Sequence, residues 1–173
     1  MAATLEGSIE ARLAVKYIND TTTGKVTSEV TASDSLGAWT ITSGTTADKA
    51  DLLYDAEISL AAAGTSTIDL ETLTDRFGVV VDFARIKALH ITVEAGKDSG
   101  VIIGGAASNE WLGFLAAAGD KVKIRSGGWL SVGAPDATAY VVTNTTSTDI
   151  KLAHDGAGSD TILVKIYLIG ATA

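Results

Sequence analysis

Between Thr4 and Tyr17 apolar and polar residues alternate. Leu5, Ile9, Ala11, Leu13, Val15 and Tyr17 take the odd positions, and Thr4, Glu6, Ser8, Glu10, Arg12 and Lys16 take even ones. A period of two puts one apolar set on one face of an extended strand. A chain that opens this way is committed to pairing a long strand with something.

The same period returns downstream. Leu52, Tyr54, Ala56, Ile58 and Leu60 are interleaved with Asp55, Glu57 and Ser59, and Leu89, Ile91 and Val93 with His90, Thr92 and Glu94. Turn-forming clusters cut the chain between such runs: Asn19–Gly24, Asp34–Gly37, Ser43–Asp48, Gly96–Gly100, Gly127–Gly128, Ala134–Asp136 and Asp155–Ser159. Further strands are expected over Lys25–Thr31, Ala38–Thr42, Ser66–Leu70, Val101–Ile103, Lys121–Arg125, Trp129–Val132, Tyr140–Asn144, Thr148–Ala153 and Thr161–Ile169. Thr72–Gly78 reads as one short helical turn or a compact loop. In Asn109–Gly119, Trp111, Leu112, Phe114 and Leu115 have helical spacing, but Gly113 breaks it. An ordered loop packed by its aromatics is expected there.

About ten to twelve short strands at this spacing predict an all-β fold, a β-sandwich or jelly-roll-like domain. The length of 173 residues suits one good-sized domain or two very small ones. Residues 1–64 carry the more polar strands and are read as an arm or attachment sheet. Residues 65–173 are read as the main β-sandwich domain. No proline-rich linker divides them, so one continuous domain is the alternative.

Composition removes several function classes. There is no cysteine, which excludes disulfides, thiolate metal sites and a cysteine nucleophile. The net charge of −8 argues against a nucleic-acid partner, which needs clustered Lys and Arg. The nearest basic cluster, Lys121, Lys123 and Arg125, alternates along an expected strand and reads as one solvated face; an acidic partner is the sharper alternative. No signal peptide and no membrane span are expected from the distribution of apolar residues.

Reactive constellations are sparse. Only His90 and His154 can supply an imidazole base, and each reads as a surface histidine. No G-x-S-x-G or H-E-x-x-H pattern occurs. Paired carboxylates for glycoside cleavage cannot be read from 21 scattered acids, and ten aromatic residues are few for a sugar-cleaving groove. The run Ile102–Ser108 begins like a phosphate-binding loop but lacks the spacing, so a tight turn is expected. Gly156–Leu163 resembles one unit of a calcium-binding nonapeptide, and a single copy reads as a hairpin turn. Trp39, Trp111 and Trp129 suggest a sugar-stacking platform, or buried anchors, which is the simpler reading. No catalytic, cofactor-binding or metal-binding residue is therefore assigned, and a non-enzymatic role is expected.

Thr67–Gly78 followed by Phe83–Leu89, then Gly104–Asn109, Asp120–Gly128, Ala134–Asp136 and the closing Ile162–Gly170 resemble small structural proteins of tailed bacteriophages. The resemblance covers roughly residues 65–173. It implies a virion component in a head-decoration, cement or minor structural role, assembled in the host cytoplasm. The implied partners are other virion proteins, above all the major capsid protein, and further copies of the chain in a symmetric homo-oligomer, with a trimer favoured. From charge, motifs and the distribution of apolar residues, no cofactor, nucleic-acid or membrane partner is expected. The alternative is a carbohydrate- or cell-surface-binding β module of a phage appendage, which predicts exposed Trp or Tyr beside a polar groove.

Overall fold

The computed structural model describes residues 5, 7–19, 28–75, 78–156 and 158–172, with 7–19 and 28–38 described through their main chain. The fold is all-β, and no helix occurs among the described residues. In chain order the strands are β1 (Gly7–Asn19), β2 (Ser28–Ser43), β3 (Lys49–Ala50), β4 (Leu52–Leu60), β5 (Thr65–Asp69), β6 (Leu73–Thr74) and β7 (Val80–Val81). They continue with β8 (Arg85–Val93), β9 (Val101–Gly104), β10 (Lys121–Ile124), β11 (Trp129–Gly133), β12 (Tyr140–Val141), β13 (Asp149–His154) and β14 (Ile162–Ala171). The chain divides into two compact units, Glu6–Ile41 and the remainder, which holds Thr42–Ala173.

The smaller unit is the antiparallel pair β1–β2, in register from Gly7 opposite Ile41 to Asn19 opposite Ser28. Glu10 pairs with Ala38 and Arg12 with Ser35, so Ala11 faces both Leu36 and Gly37. The turn expected at Asp34–Gly37 is thus corrected to a β-bulge inside one long strand. A glycine beside one extra residue suits a bulge as well as a turn, and the partner strand decides between them. Of the turn expected over Asn19–Gly24 and the strand over Lys25–Thr31, residues 20–27 lie outside the described residues.

The larger unit is a sandwich. One sheet has the order β11–β8–β14–β4, with β12 added to β8; the other has the order β10–β9–β13–β5. All pairings within these two sheets are antiparallel. Successive strands change sheet at β4–β5, β8–β9, β10–β11, β12–β13 and β13–β14, which gives a jelly-roll-like winding. Residues 42–64, grouped by sequence with the N-terminal segment, include β4, which pairs with β14 over nine positions.

Alternation explains the core. On β14, Ile162, Val164, Ile166 and Leu168 are buried while Lys165 and Tyr167 between them are exposed. Leu89 and Ile91 join them from β8. The facing sheet contributes Ile68, Val101, Ile103, Ile150 and Leu152 to the same cluster. Each fully buried aliphatic side chain of this kind contributes about 1.5–3 kcal/mol.

The strand expected from the alternation of Leu89 to Glu94 reaches back to Arg85. A bulge hides its beginning from the pattern. Ile169 pairs with Ala88 and Gly170 with Ile86, leaving Lys87 as the extra residue. Lys87 is fully buried. The expected helical turn or compact loop at Thr72–Gly78 is replaced by a small hairpin, β6–β7, whose residues 76 and 77 lie outside the described set. Asn109–Gly119 is the ordered loop expected. Trp111 is buried within it, edge-on to Phe114 and Tyr140 at centroid distances of 6.0 and 6.2 Å.

Candidate functional site

The sheet containing β14 turns its second face outward, and strand register composes that face. Ser131, His90, Tyr167 and Asp55 form one row across β11, β8, β14 and β4. Trp129, Thr92, Lys165 and Glu57 form the next. All eight alternate with core positions, so their side chains share one surface. Trp129 is 67% exposed and Tyr167 40%.

His90 sits between these two aromatics. Its ring centroid is 6.4 Å from that of Trp129 and 6.2 Å from that of Tyr167, with tilts of 35° and 37°. Its Nδ1 hydrogen-bonds the Ser131 hydroxyl at 2.6 Å, which fixes the imidazole in the row. A hydroxyl–imidazole pair is the starting point of nucleophilic catalysis. Here it lies on the outward sheet face between two rings.

Beyond Tyr167 the surface dips. Asp55, Ala56, Glu57, Lys165 and Tyr167 line a depression of about 350 Å³. Within it Lys165 Nζ lies 3.4 Å from Glu57 Oε2, both half-exposed. The row of rings therefore ends in a polar hollow whose ammonium is balanced by a carboxylate.

The other residues singled out by sequence are dispersed. His154, expected at the surface, is buried, because its position on β13 alternates in phase with Ile150 and Leu152. Its Nδ1 accepts from the Gly156 amide and its Nε2 donates to the Asp160 main-chain carbonyl, both at 3.0 Å. In the turn that resembles a calcium loop, Asp160 Oδ1 accepts from the Ser99 hydroxyl at 2.7 Å and Oδ2 from the Asp98 amide at 3.2 Å. The Ser99 hydrogen bond is the main cause holding the Asp160 carboxyl below the usual carboxylate range. Asp155 pairs with Lys123 at 2.8 Å. Among the described residues no group of three or more His, Asp or Glu is arranged to hold a metal ion.

Gly104 and Gly105 both have positive φ and form the tight turn expected of Ile102–Ser108. The Gly105 amide donates to the Glu110 carboxylate, and the Gly119 amide donates to its second oxygen at 2.7 Å. The amide that a phosphate would use is thus taken by a protein carboxylate. Lys121 and Lys123 are exposed on one face of β10, with Arg125 exposed just beyond its end.

Within the larger unit, Trp111 and Trp129 do not form one platform. Trp111 is a core anchor whose Nε1 donates to the Val141 carbonyl at 3.0 Å. Trp39 pairs with Ile9 in the β1–β2 hairpin. Trp129 lies on the aromatic face, and its ring neighbour there is His90, flanked in turn by Tyr167. Sequence reading passed over Tyr167 and Ser131. The one signal for Tyr167 was its place at an outward position of the last strand.

No family model matches the chain, and no curated protein matches it. Among solved structures it is similar to a de novo designed double-stranded β-helix, with TM-score 0.33 and 7% identity over 66% of this chain and 96% of that one. It is also similar to IMPa, a metallopeptidase from Pseudomonas aeruginosa, seen in complex with an O-glycopeptide and with T-antigen. Each of these matches has TM-score 0.35 and 12% identity over 70% of this chain. The chain spans 13% of the length of IMPa. Likenesses this distant say nothing of function.

Proposed function

We propose that the chain is a non-enzymatic virion structural protein, a capsid decoration or cement component that works through protein–protein contacts. The observation that supports this reading best is the β1–β2 ribbon. It is a compact unit of its own, Glu6–Ile41, and its strands run for 13 and 16 residues. A two-stranded ribbon is marginal in water without a surface to pack on. Its sequence carries an alternating apolar set from Ile9 to Tyr17. Such a ribbon suits an attachment arm for a neighbouring protein.

Two further features agree with assembly. The sandwich sheets end on β11 and β4 in one case and on β10 and β5 in the other, and edge strands are where chains add to one another. The resemblance of residues 65–173 to tailed-phage structural proteins names the setting: the virion, with the major capsid protein and further copies of the chain as partners, a trimer favoured. Symmetric closure is the usual outcome of such contacts.

Light scattering on the purified full chain is expected to give an oligomer, and the chain is expected to co-sediment with assembled capsid shells. Val15→Asp, which puts a charge into the alternating apolar set, is expected to abolish co-sedimentation while the sandwich still unfolds cooperatively. A strictly monomeric chain that ignores shells would sink the reading.

A further inference from the structure

We propose that the outer face of the five-stranded sheet is a binding site for a neutral saccharide. Trp129, His90 and Tyr167 are its stacking platform, and the hollow between β4 and β14 takes the hydroxyl groups of the sugar at its end. This goes beyond the assembly reading and stands or falls independently of it.

The case starts from Trp129 and Tyr167. Apolar ring surface left in water costs free energy, and a contiguous exposed set marks a surface with a partner. These two are not scattered. Register brings them to either side of His90, at ring spacings of 6.4 and 6.2 Å, on the scale of consecutive sugar units. The Ser131 hydrogen bond holds the middle ring without using Nε2, which leaves that nitrogen for a ligand hydroxyl.

The polar groups decide the ligand class. A pyranose presents a flat C–H face to an aromatic ring and a rim of hydroxyls to polar neighbours. The platform offers the first surface, and the adjoining hollow offers the second through Asp55, Glu57 and Lys165. Hydroxyls donate and accept, so they suit a mixed lining of carboxylates and an ammonium. An anionic ligand is disfavoured by two carboxylates in the hollow and a net chain charge of −8. A cation over the rings is disfavoured by Lys165, 3.4 Å from the carboxylate that would attract it.

The test is titration of the full-length chain with neutral hexasaccharides of β-1,4-linked glucose, α-1,4-linked glucose and β-1,4-linked N-acetylglucosamine. Tetramethylammonium serves as the cationic probe, and readout is by calorimetry and tryptophan fluorescence. At least one hexasaccharide is expected to bind saturably. Trp129→Ala and Tyr167→Ala are each expected to weaken it about tenfold or more, since each removes a stacking ring. Both side chains are exposed, so the unfolding midpoint and the oligomeric state are expected to stay unchanged.

Three outcomes would overturn the proposal: no hexasaccharide binding up to millimolar concentration, sugar binding that survives Trp129→Ala, or saturable binding of tetramethylammonium alone. If the parent binds no sugar and Trp129→Ala breaks the oligomer, the face is a protein contact. The saccharide site would then be lost while the assembly reading stands.

Discussion

Lys87 Nζ donates to the main-chain carbonyl of Asp136 at 2.9 Å, from a side chain with no exposed surface. The same ammonium donates to the Thr46 carbonyl at 2.7 Å. One buried cation thus ties two loops that also meet directly, the Asp48 amide donating to the Pro135 carbonyl at 2.8 Å. Burial is the main cause pushing its pKa down. Lys87→Met keeps the bulk and removes the donor. It is expected to lower unfolding stability by about 1–3 kcal/mol, the cost of leaving buried acceptors unmet. Urea denaturation measures this, and amide exchange is expected to quicken at residues 44–48 and 134–139. A variant as stable as the parent would show the ammonium to be dispensable.

Gly104 ends β9 with φ of 100°, and a Cβ there would strike the Asp120 carbonyl oxygen. Gly104→Ala therefore meets both a disfavoured backbone region and rigid main chain. A loss of about 2 kcal/mol or more is expected, from overpacking added to strain. Gly119→Ala is the informative control. Its φ is 85°, yet a Cβ there would meet open space. It is expected to cost less than Gly104→Ala, and equal losses would show that backbone angle alone matters.

The Asp160 carboxyl is held below its ordinary range, chiefly by the Ser99 hydroxyl. Asp136 is held low by amide donors of Ala139 and Thr138, each at 2.8 Å. Both have folded pKa values below the unfolded Asp value of about 3.9. Their stabilising effect is complete above that value and is lost as pH falls through the lower folded ones. Stability measured across the acid range is thus expected to drop below about pH 4. Ser99→Ala is expected to flatten that slope, and an unchanged slope would remove Asp160 as a contributor.

Trp111 is closed in by Phe114 and Tyr140 and bonded to Val141. Trp111→Ala is expected to cost about 3–5 kcal/mol, in line with emptying a buried aromatic site. Trp129→Ala is expected to leave the unfolding midpoint unchanged. Acrylamide is expected to quench Trp129 emission much more than that of Trp111, and the reverse order would contradict the packing described above.

Much of the fold was legible because strands bury side chains by parity. Ile162 to Leu168 reads as a half-buried strand before any partner is known, since every second residue is apolar. The loop over Asn109–Gly119 was legible for a similar local reason, Gly113 interrupting a helical spacing. What failed were the places where parity slips. Lys87 and Leu36–Gly37 sit at bulges, and one added residue moves each neighbour to the opposite face. Lys87 also looked like any surface lysine, because its acceptors lie 41 and 49 residues away in sequence. His154 reads as exposed from its place beside Asp155, but its strand phase buries it.

The sequence by itself determined that this chain is a cysteine-free β protein with alternating faces and glycine-bearing turns. Those properties are local, set by residue type and a period of two. The tertiary structure alone decided which outward residues share a surface. Trp129, His90 and Tyr167 come from three strands far apart in the chain, and no local pattern links them. Inter-strand hydrogen-bond register joins them, and register follows from how the buried faces of all the strands fit together.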